Sequence, residues 1–413
     1  MSRKPTLIFI VLGVVLVLLL AFPAFRTVPQ SHLFQHLASW QFTTSDAATS
    51  TFTRAQCDTA FPRLYQPIDE AVATRANHHV QLPELDIPAG RCMFRALIYE
   101  KELYVIDAGD PESCYVPTYR ERIVGTLASI HKAIVSAPED VPNIEFSVSY
   151  DDMPTRSNNA VEWGIARRTE EANIWLIPDY GYWGWESVGL PSYSIIRRKI
   201  NTVNSKSTWE RKLKQAVWRG NVKNAPQIRE KLIEVSKDKP WSDIRHADHS
   251  DRSNNSYLTV EELCNYMFVV QTEGTSYSGR LKYLLLCNSV TVAHKLEWLE
   301  FHTHLMESSG PTQNFIETKR DWSDLSVKMD HHLGNLGETK EIAKRSYNLF
   351  NQRYLTPAAV TCYWRHLFDG WAKVQGFKPE LYTTDGSSGE LVLRGISYEA
   401  FIVTFPKTTR EKL

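Results

Sequence analysis

The sequence predicts an α/β protein organised as two lobes behind an N-terminal apolar segment. Three observations carry that reading. The chain has 413 residues, more than one hydrophobic core usually organises. Apolar runs of strand length recur in both halves, with helical periodicities between them. Residues 266–292 read as strand, turn, helix, strand, the unit from which parallel sheets are built.

At the N-terminus, Arg3 and Lys4 precede an uncharged, almost wholly apolar run from Thr6 to Phe25. About 20 such residues span a bilayer, and basic residues on the short side keep that end cytoplasmic. The expectation is a type II membrane anchor (residues 1–25), with everything after Arg26 in the lumen. A cleaved signal peptide is the alternative, since Ala21-Phe22-Pro23-Ala24 loosely resembles a cleavage site. From Arg26 to about Thr53 the chain is polar and without period, and reads as a stem.

Lys plus Arg and Asp plus Glu both number 47, so no global field draws in nucleic acid or an anionic membrane surface. Six cysteines, Cys57, Cys92, Cys114, Cys264, Cys287 and Cys362, all follow the apolar run. In an oxidising compartment an even count reads as up to three bridges, with the pairing open. Asn254-Asn255-Ser256 is a glycosylation sequon.

In the first lobe, Phe94 to Ile98 and Leu103 to Ile106 read as a hairpin. Ile123, Leu127, Ile130 and Ile134 then recur at helical spacing, and Ile144 to Val148 and Ile174 to Ile177 read as buried strands. The second lobe starts near Trp209. Ala216 to Trp218 is a predicted strand, Gln227 to Val235 a helix, and Tyr266 to Val270 a strand ending at Glu273-Gly274. Ser276 and Ser278 offer helix-capping hydroxyls, Leu281, Leu284 and Leu285 an amphipathic helix, and Val290 to Val292 the next strand. Such a crossover places a helix N-terminus at the carboxyl edge of the sheet, where phosphates are commonly held.

Candidate chemistry gathers at these edges. Arg219 follows a strand, and Arg280 opens the helix after Gly274-Thr275-Ser276-Tyr277-Ser278-Gly279. Guanidinium groups and helix amides together neutralise a diphosphate without a metal. Asp151 and Asp152 follow a strand and offer a base, although Asp-Asp-Met-Pro also reads as a simple turn. The loop Asp179 to Glu186 mixes acids with Tyr180, Tyr182, Trp183 and Trp185, suited either to gripping a sugar or to a packed corner. His246-Ala247-Asp248-His249 lacks a metal-like arrangement, and no metal is expected.

The run Glu273 to Val290, followed by Glu297-Trp298-Leu299-Glu300-Phe301, closely resembles glycosyltransferase family 90, the capsule-associated and protein O-glucosyltransferase group. The resemblance extends through Tyr150 to Pro154, Tyr180 to Glu186, Trp218-Arg219-Gly220 and Cys362-Tyr363-Trp364. It implies a GT-B type enzyme: two Rossmann-like lobes facing a cleft, inverting and metal-independent. A UDP-sugar donor, of xylose or glucose, would be used on a glycan or glycoprotein acceptor in the Golgi or ER. The catalytic carboxylate falls on Asp152. Donor binding falls on Arg219 and on Gly274, Thr275, Ser276, Tyr277, Ser278, Gly279 and Arg280, and acceptor or sugar contact on Tyr180, Tyr182 and Trp183. The implied bridges are Cys264 with Cys287 and Cys57 with Cys362, leaving Cys92 with Cys114. The implied division is anchor 1–25, stem 26–55, acceptor-side lobe 56–205, donor lobe 206–350 and a returning helix and tail 351–413. Two departures stand out: Asn221-Val222-Lys223-Asn224 where many relatives are Ser-Arg rich, and Gly279 where an aromatic is common. Rival readings are a non-catalytic glycan-binding protein on a transferase fold and a hydrolase pairing Asp152 with Glu186.

Overall fold

The chain builds two sheets from its two halves. The computed structural model describes residues 40–110, 114, 116, 118–153, 161–247 and 257–405, and both sheets belong to one compact unit that begins at Phe42. The apolar run 6–25, the first part of the stem (26–39), Pro154, the Asn254 sequon, Asp248, His249 and the C-terminal 406–413 lie outside the described residues. No described helix is long and apolar enough to cross a membrane.

The first sheet has six strands: β1 (Met93–Tyr99), β2 (Glu102–Asp107), β3 (Ile144–Ser149), β4 (Glu162–Gly164), β5 (Ile174–Leu176) and, from the C-terminal region, β13 (Ile396–Ser397). Their order is β13-β2-β1-β3-β4-β5. Strands β3, β4 and β5 are parallel, whereas β1 runs antiparallel to both β2 and β3. This half is therefore not the uniformly parallel sheet of a simple Rossmann unit. The cause is local: Glu100 and Lys101 take φ of 51° and 64°, and a two-residue connection with both φ positive turns the strand straight back on itself.

The second sheet comprises β6 (Leu213–Gly220), β7 (Ser242–His246), β8 (Tyr266–Gln271), β9 (Val290–His294) and β10 (Ile316–Thr318). Its order is β10-β9-β8-β6-β7, and it is wholly parallel. Strands β8 and β9 are buried throughout, which explains their continuous apolar spelling. A third, two-stranded sheet pairs β11 (Tyr382–Thr384) with β12 (Leu391–Leu393).

Among the described residues the α-helices are α1 (Arg54–Ala60), α2 (Gln66–Arg75), α3 (Tyr119–Val135), α4 (Tyr193–Lys206), α5 (Pro226–Ser236), α6 (Val260–Leu263), α7 (Leu281–Leu284), α8 (Leu325–Gly334), α9 (Leu336–Leu349), α10 (Pro357–Val374) and α11 (Tyr398–Thr404). Pro226 and Pro357 sit at first helical positions, where the missing N–H costs nothing.

Helix α10 seals the first sheet. Phe146 of β3 stacks on Trp163 at 3.8 Å between ring centroids, and Trp371 meets Trp163 and Trp175 edge-on at 5.6 and 5.0 Å. The Trp371 indole N–H donates to the Glu145 carbonyl at 2.9 Å, so its one polar atom is satisfied. Truncating such a ring costs about 3–5 kcal/mol. Glu145 itself is buried on β3 between Arg95 (2.7 Å) and Arg394 (2.8 Å), which fastens the C-terminal segment to the sheet. Three disulfides join Cys57 to Cys362, Cys92 to Cys114 and Cys264 to Cys287, the same pairs the family resemblance implies.

Candidate active site

Sheet 1 delivers a carboxylate. Strand β3 ends at Ser149, and the two following aspartates divide the work between them. Asp151 is buried and its Oδ1 accepts the Met153 N–H at 3.2 Å, which is the turn that Asp-Asp-Met-Pro predicts. Asp152 instead turns outward, two-fifths exposed, with Oδ1 held at 2.8 Å by the Arg122 guanidinium. Arg122 comes from the first turn and a half of α3, donates also to the Tyr150 carbonyl at 2.9 Å, and lies 5.0 Å from the Tyr180 ring centroid. It is thus fixed on three sides and aims the carboxylate.

The aromatic loop is built by Asp179, whose Oδ1 accepts the Gly181 N–H at 2.7 Å. Tyr180 is buried edge-on to Trp185 (5.6 Å) and presses on α3 at Gly125, where an added Cβ would stand 3.1 Å from the Tyr180 Cβ. Tyr182 packs between Tyr193 and Phe301 at 4.8 and 5.5 Å. Trp183 is different: it is 46% exposed, so one ring face remains in solvent.

The loop after β8 faces this cluster. Burial, with the charges of Asp179 and Asp152, pushes the Tyr277 hydroxyl well above its ordinary range. The Ser276 hydroxyl is buried without a hydrogen-bond partner among the described residues. Gly279 leaves room for Trp185: a Cβ there would stand 3.1 Å from the indole and 3.2 Å from Lys282 Nζ. An aromatic at 279 would collide with Trp185, so the departure at 279 is matched by the indole beside it.

Two expectations are corrected. The helix after the loop is a single turn, Leu281–Leu284, with Arg280 at its N-cap and no side-chain cap, because Ser276 and Ser278 precede it by too far. One turn sums few peptide dipoles, so it supplies little of the positive end a phosphate needs. Arg219 also departs from its predicted place. It is buried against Asp243 at 2.8 Å and donates to the Trp218 and Asp243 carbonyls, because adjacent strand residues face opposite sides of the sheet. The Asp243 carboxyl, which also accepts from Tyr266, is held below the usual carboxylate range despite its burial.

The face that Trp218 occupies gathers other arginines. Arg229 of α5 and Arg280 both approach the Trp218 ring, at 5.8 and 6.0 Å from its centroid. Arg229 is buried and, among the described residues, donates to the Glu273 and Asn221 carbonyls. The Arg280 guanidinium has no hydrogen bond or ion pair among the described residues, and its ring contact is with Trp218. Burial pushes both guanidiniums down to about 10, and for Arg280 the neighbouring charge of Arg229 adds to it. Two cations side by side, one of them buried, with no carboxylate partner among the described residues, form a site suited to an anion. Arg229 was not legible in the sequence, since nothing in the spacing of an amphipathic helix singles out a buried arginine.

Thr275 is exposed at the tip of the loop, and Gly274 lies against Arg229, whose Nη2 would stand 3.2 Å from an added Cβ. Among the described residues no group of three or more His, Cys, Asp or Glu side chains is arranged to hold a metal ion.

Residues 84–386 match the description of glycosyl transferase family 90. The chain belongs to that family. Family 90 relatives of similar sequence include protein O-glucosyltransferase 1 of Rattus norvegicus, 23% identical over 268 residues, covering 60% of this chain and 66% of the relative. The Homo sapiens protein of the same name is 24% identical over 255 residues, with 56% and 63% covered. O-glucosyltransferase rumi of Drosophila pseudoobscura pseudoobscura is 22% identical over 308 residues, with 68% and 70% covered. The chain thus spans a little under two thirds of the first two relatives. Of the sequence-predicted residues within the family match, Asp152 and Tyr180 meet at Arg122, and Tyr180 and Gly279 meet at Trp185, whereas Arg280 approaches Trp218.

Proposed function

We propose that this chain is an inverting, metal-independent glycosyltransferase that moves glucose or xylose from a UDP-sugar to a glycan or glycoprotein. The observation that supports the reading is the Arg229–Arg280 pair against Trp218, with no carboxylate partner among the described residues, at the end of a loop whose Gly279 meets Trp185, which packs on Tyr180 beside the Arg122 that holds Asp152. The two guanidiniums neutralise the diphosphate as it leaves. Asp152 accepts the proton of the acceptor hydroxyl while that oxygen bonds to the anomeric carbon and the carbon–phosphate-oxygen bond breaks. UDP departs with the electron pair, and an α-linked donor gives a β-linked product. Arg122 keeps the carboxylate aimed during the approach.

A GT-B arrangement suits this reading, since a parallel second sheet carries the donor loop and the first sheet carries the base. Glucose and a protein acceptor take support from the names of the relatives, and a lumenal setting, Golgi or ER, from the three disulfides. The type II anchor and the absence of any metal requirement belong to the same proposal.

The test is Asp152→Asn with a panel of UDP-sugars. UDP binding is expected to persist in the variant while release of UDP and labelling of acceptor cease. Transfer by the variant refutes the base. Sugar release by the wild-type chain without any nucleotide donor would replace the reading with a hydrolase.

A further inference from the structure

A groove of about 790 Å³ lies between α3 and the segment 182–194, within the size range of ligand sites. Its walls include Arg120, Glu121, Lys132, Trp183, Glu186 and Ser194. Its wall residue Glu121 is the chain neighbour of Arg122, the residue that holds Asp152, and Glu121 Oε1 accepts the Ser187 N–H at 3.0 Å. It ends near Lys132, eleven residues along the same helix, a rise of about 17 Å.

We propose that this groove binds the chain of a neutral oligosaccharide acceptor, whose terminal hydroxyl is presented to Asp152; the inference rests on the transferase reading and adds the acceptor class to it. The chemistry of the walls selects that ligand. Trp183 is the wall residue with an open aromatic face, and a pyranose offers a matching apolar C–H face with hydroxyls around its rim. Glu121 Oε2 is buried with no hydrogen-bond partner among the described residues, an acceptor position that a sugar hydroxyl would fill. Arg120 and Lys132 balance Glu121 and Glu186, so the groove has no net sign with which to draw a polyanion. Its length along α3 accommodates several rings in line, with the reactive end at the helix start.

The test is affinity against chain length. Manno-, gluco- and galacto-oligosaccharides of one to five rings are titrated into the full chain held with UDP, and into Trp183→Ala and Ser194→Trp, the second of which plugs the groove without removing a wall. In at least one series the wild-type affinity is expected to rise tenfold or more from one ring to four. Both variants, with wild-type thermal melting as the sign of folding, are expected to lose that rise. Flat affinity in every series overturns the proposal, as does a rise that survives in either variant. Length dependence found only with a folded protein acceptor also overturns it. Binding of UDP by the wild-type chain is read separately: present with flat affinities, it leaves the transferase reading standing while the groove assignment falls, and absent, it removes the transferase reading itself.

Discussion

Lys282 and Asp179 form an ion pair at 2.7 Å with neither side chain more than 3% exposed, and the same ammonium donates to the Gly279 carbonyl at 2.6 Å. One cation therefore ties the loop before Arg280 to the loop that carries Tyr180 and Trp183. Its third side is aromatic, 4.8 Å from the Tyr283 centroid and 5.6 Å from that of Trp185. Glycines at 181 and 279 are required by this packing, since an added Cβ at 181 would stand 2.8 Å from the Lys282 nitrogen.

Breaking that pair from one side leaves a buried charge unmatched. Lys282→Met is expected to destabilise the fold by about 3–5 kcal/mol, and the double change with Asp179→Asn to regain part of the loss. Denaturant midpoints of the two single variants and the double variant measure the coupling. Strictly additive losses would show that the pair does not act as one unit.

The arginine pair makes a prediction about binding. Arg280→Ala and Arg229→Ala are each expected to weaken UDP by about 1.5–3 kcal/mol, the range for hydrogen bonds to charged groups. Arg219→Lys is expected to weaken UDP far less, because Arg219 is engaged by Asp243 on the other face of β6. Calorimetry with UDP separates the two cases. Equal losses at 219 and 280 would return Arg219 to the site.

Much of the frame was legible in the sequence because its signals are local. The hairpin, the helix after Arg120 and strands β3, β6, β8 and β9 follow from apolar periodicity, with ends within a few residues of those predicted. Single-turn α7 was overestimated, since Leu281, Leu284 and Leu285 suit one buried turn as well as a long amphipathic helix. Side-chain direction at strand ends was not legible either. Trp218-Arg219 reads as an arginine at the sheet edge, but which face each residue takes is decided by register, and register sent the arginine to Asp243. Lys282 and Arg122 lay inside readable helices, yet their partners are 103 and 30 residues away, and no local pattern encodes such contacts.

The bridge between Cys57 and Cys362 closes a separation of 305 residues, fastening α1 to α10. Cys57→Ala with Cys362→Ala is expected to lower stability by about 2–5 kcal/mol, the usual cost of losing a native disulfide. Removal of Cys264–Cys287, a separation of 23, is expected to act at the donor side as well, since it ties the start of β8 to the end of the α7 turn. Thermal unfolding and UDP affinity, measured for both double variants, distinguish a global loss from one centred on the donor loop.

His302 makes the stability depend on pH. Its ring is fully buried near Phe301 and Phe350, at 5.1 and 6.5 Å, with neither nitrogen hydrogen-bonded among the described residues. Burial first, then the charges of Lys282 and His304, push it down to about 3 from its ordinary 6.5. Between those two values the unfolded chain binds a proton that the folded chain refuses, so stability rises with pH across the window and is lost as pH falls from about 6.5. The slope contributed by one such group is about 1.4 kcal/mol per pH unit. His302→Phe, which keeps an aromatic among aromatics, is expected to flatten the acid side of the stability profile and to gain on the wild type at pH 5 relative to pH 8. Parallel denaturant titrations at the two pH values measure this difference. An unchanged slope would mean that the buried ring takes up its proton in the folded state after all.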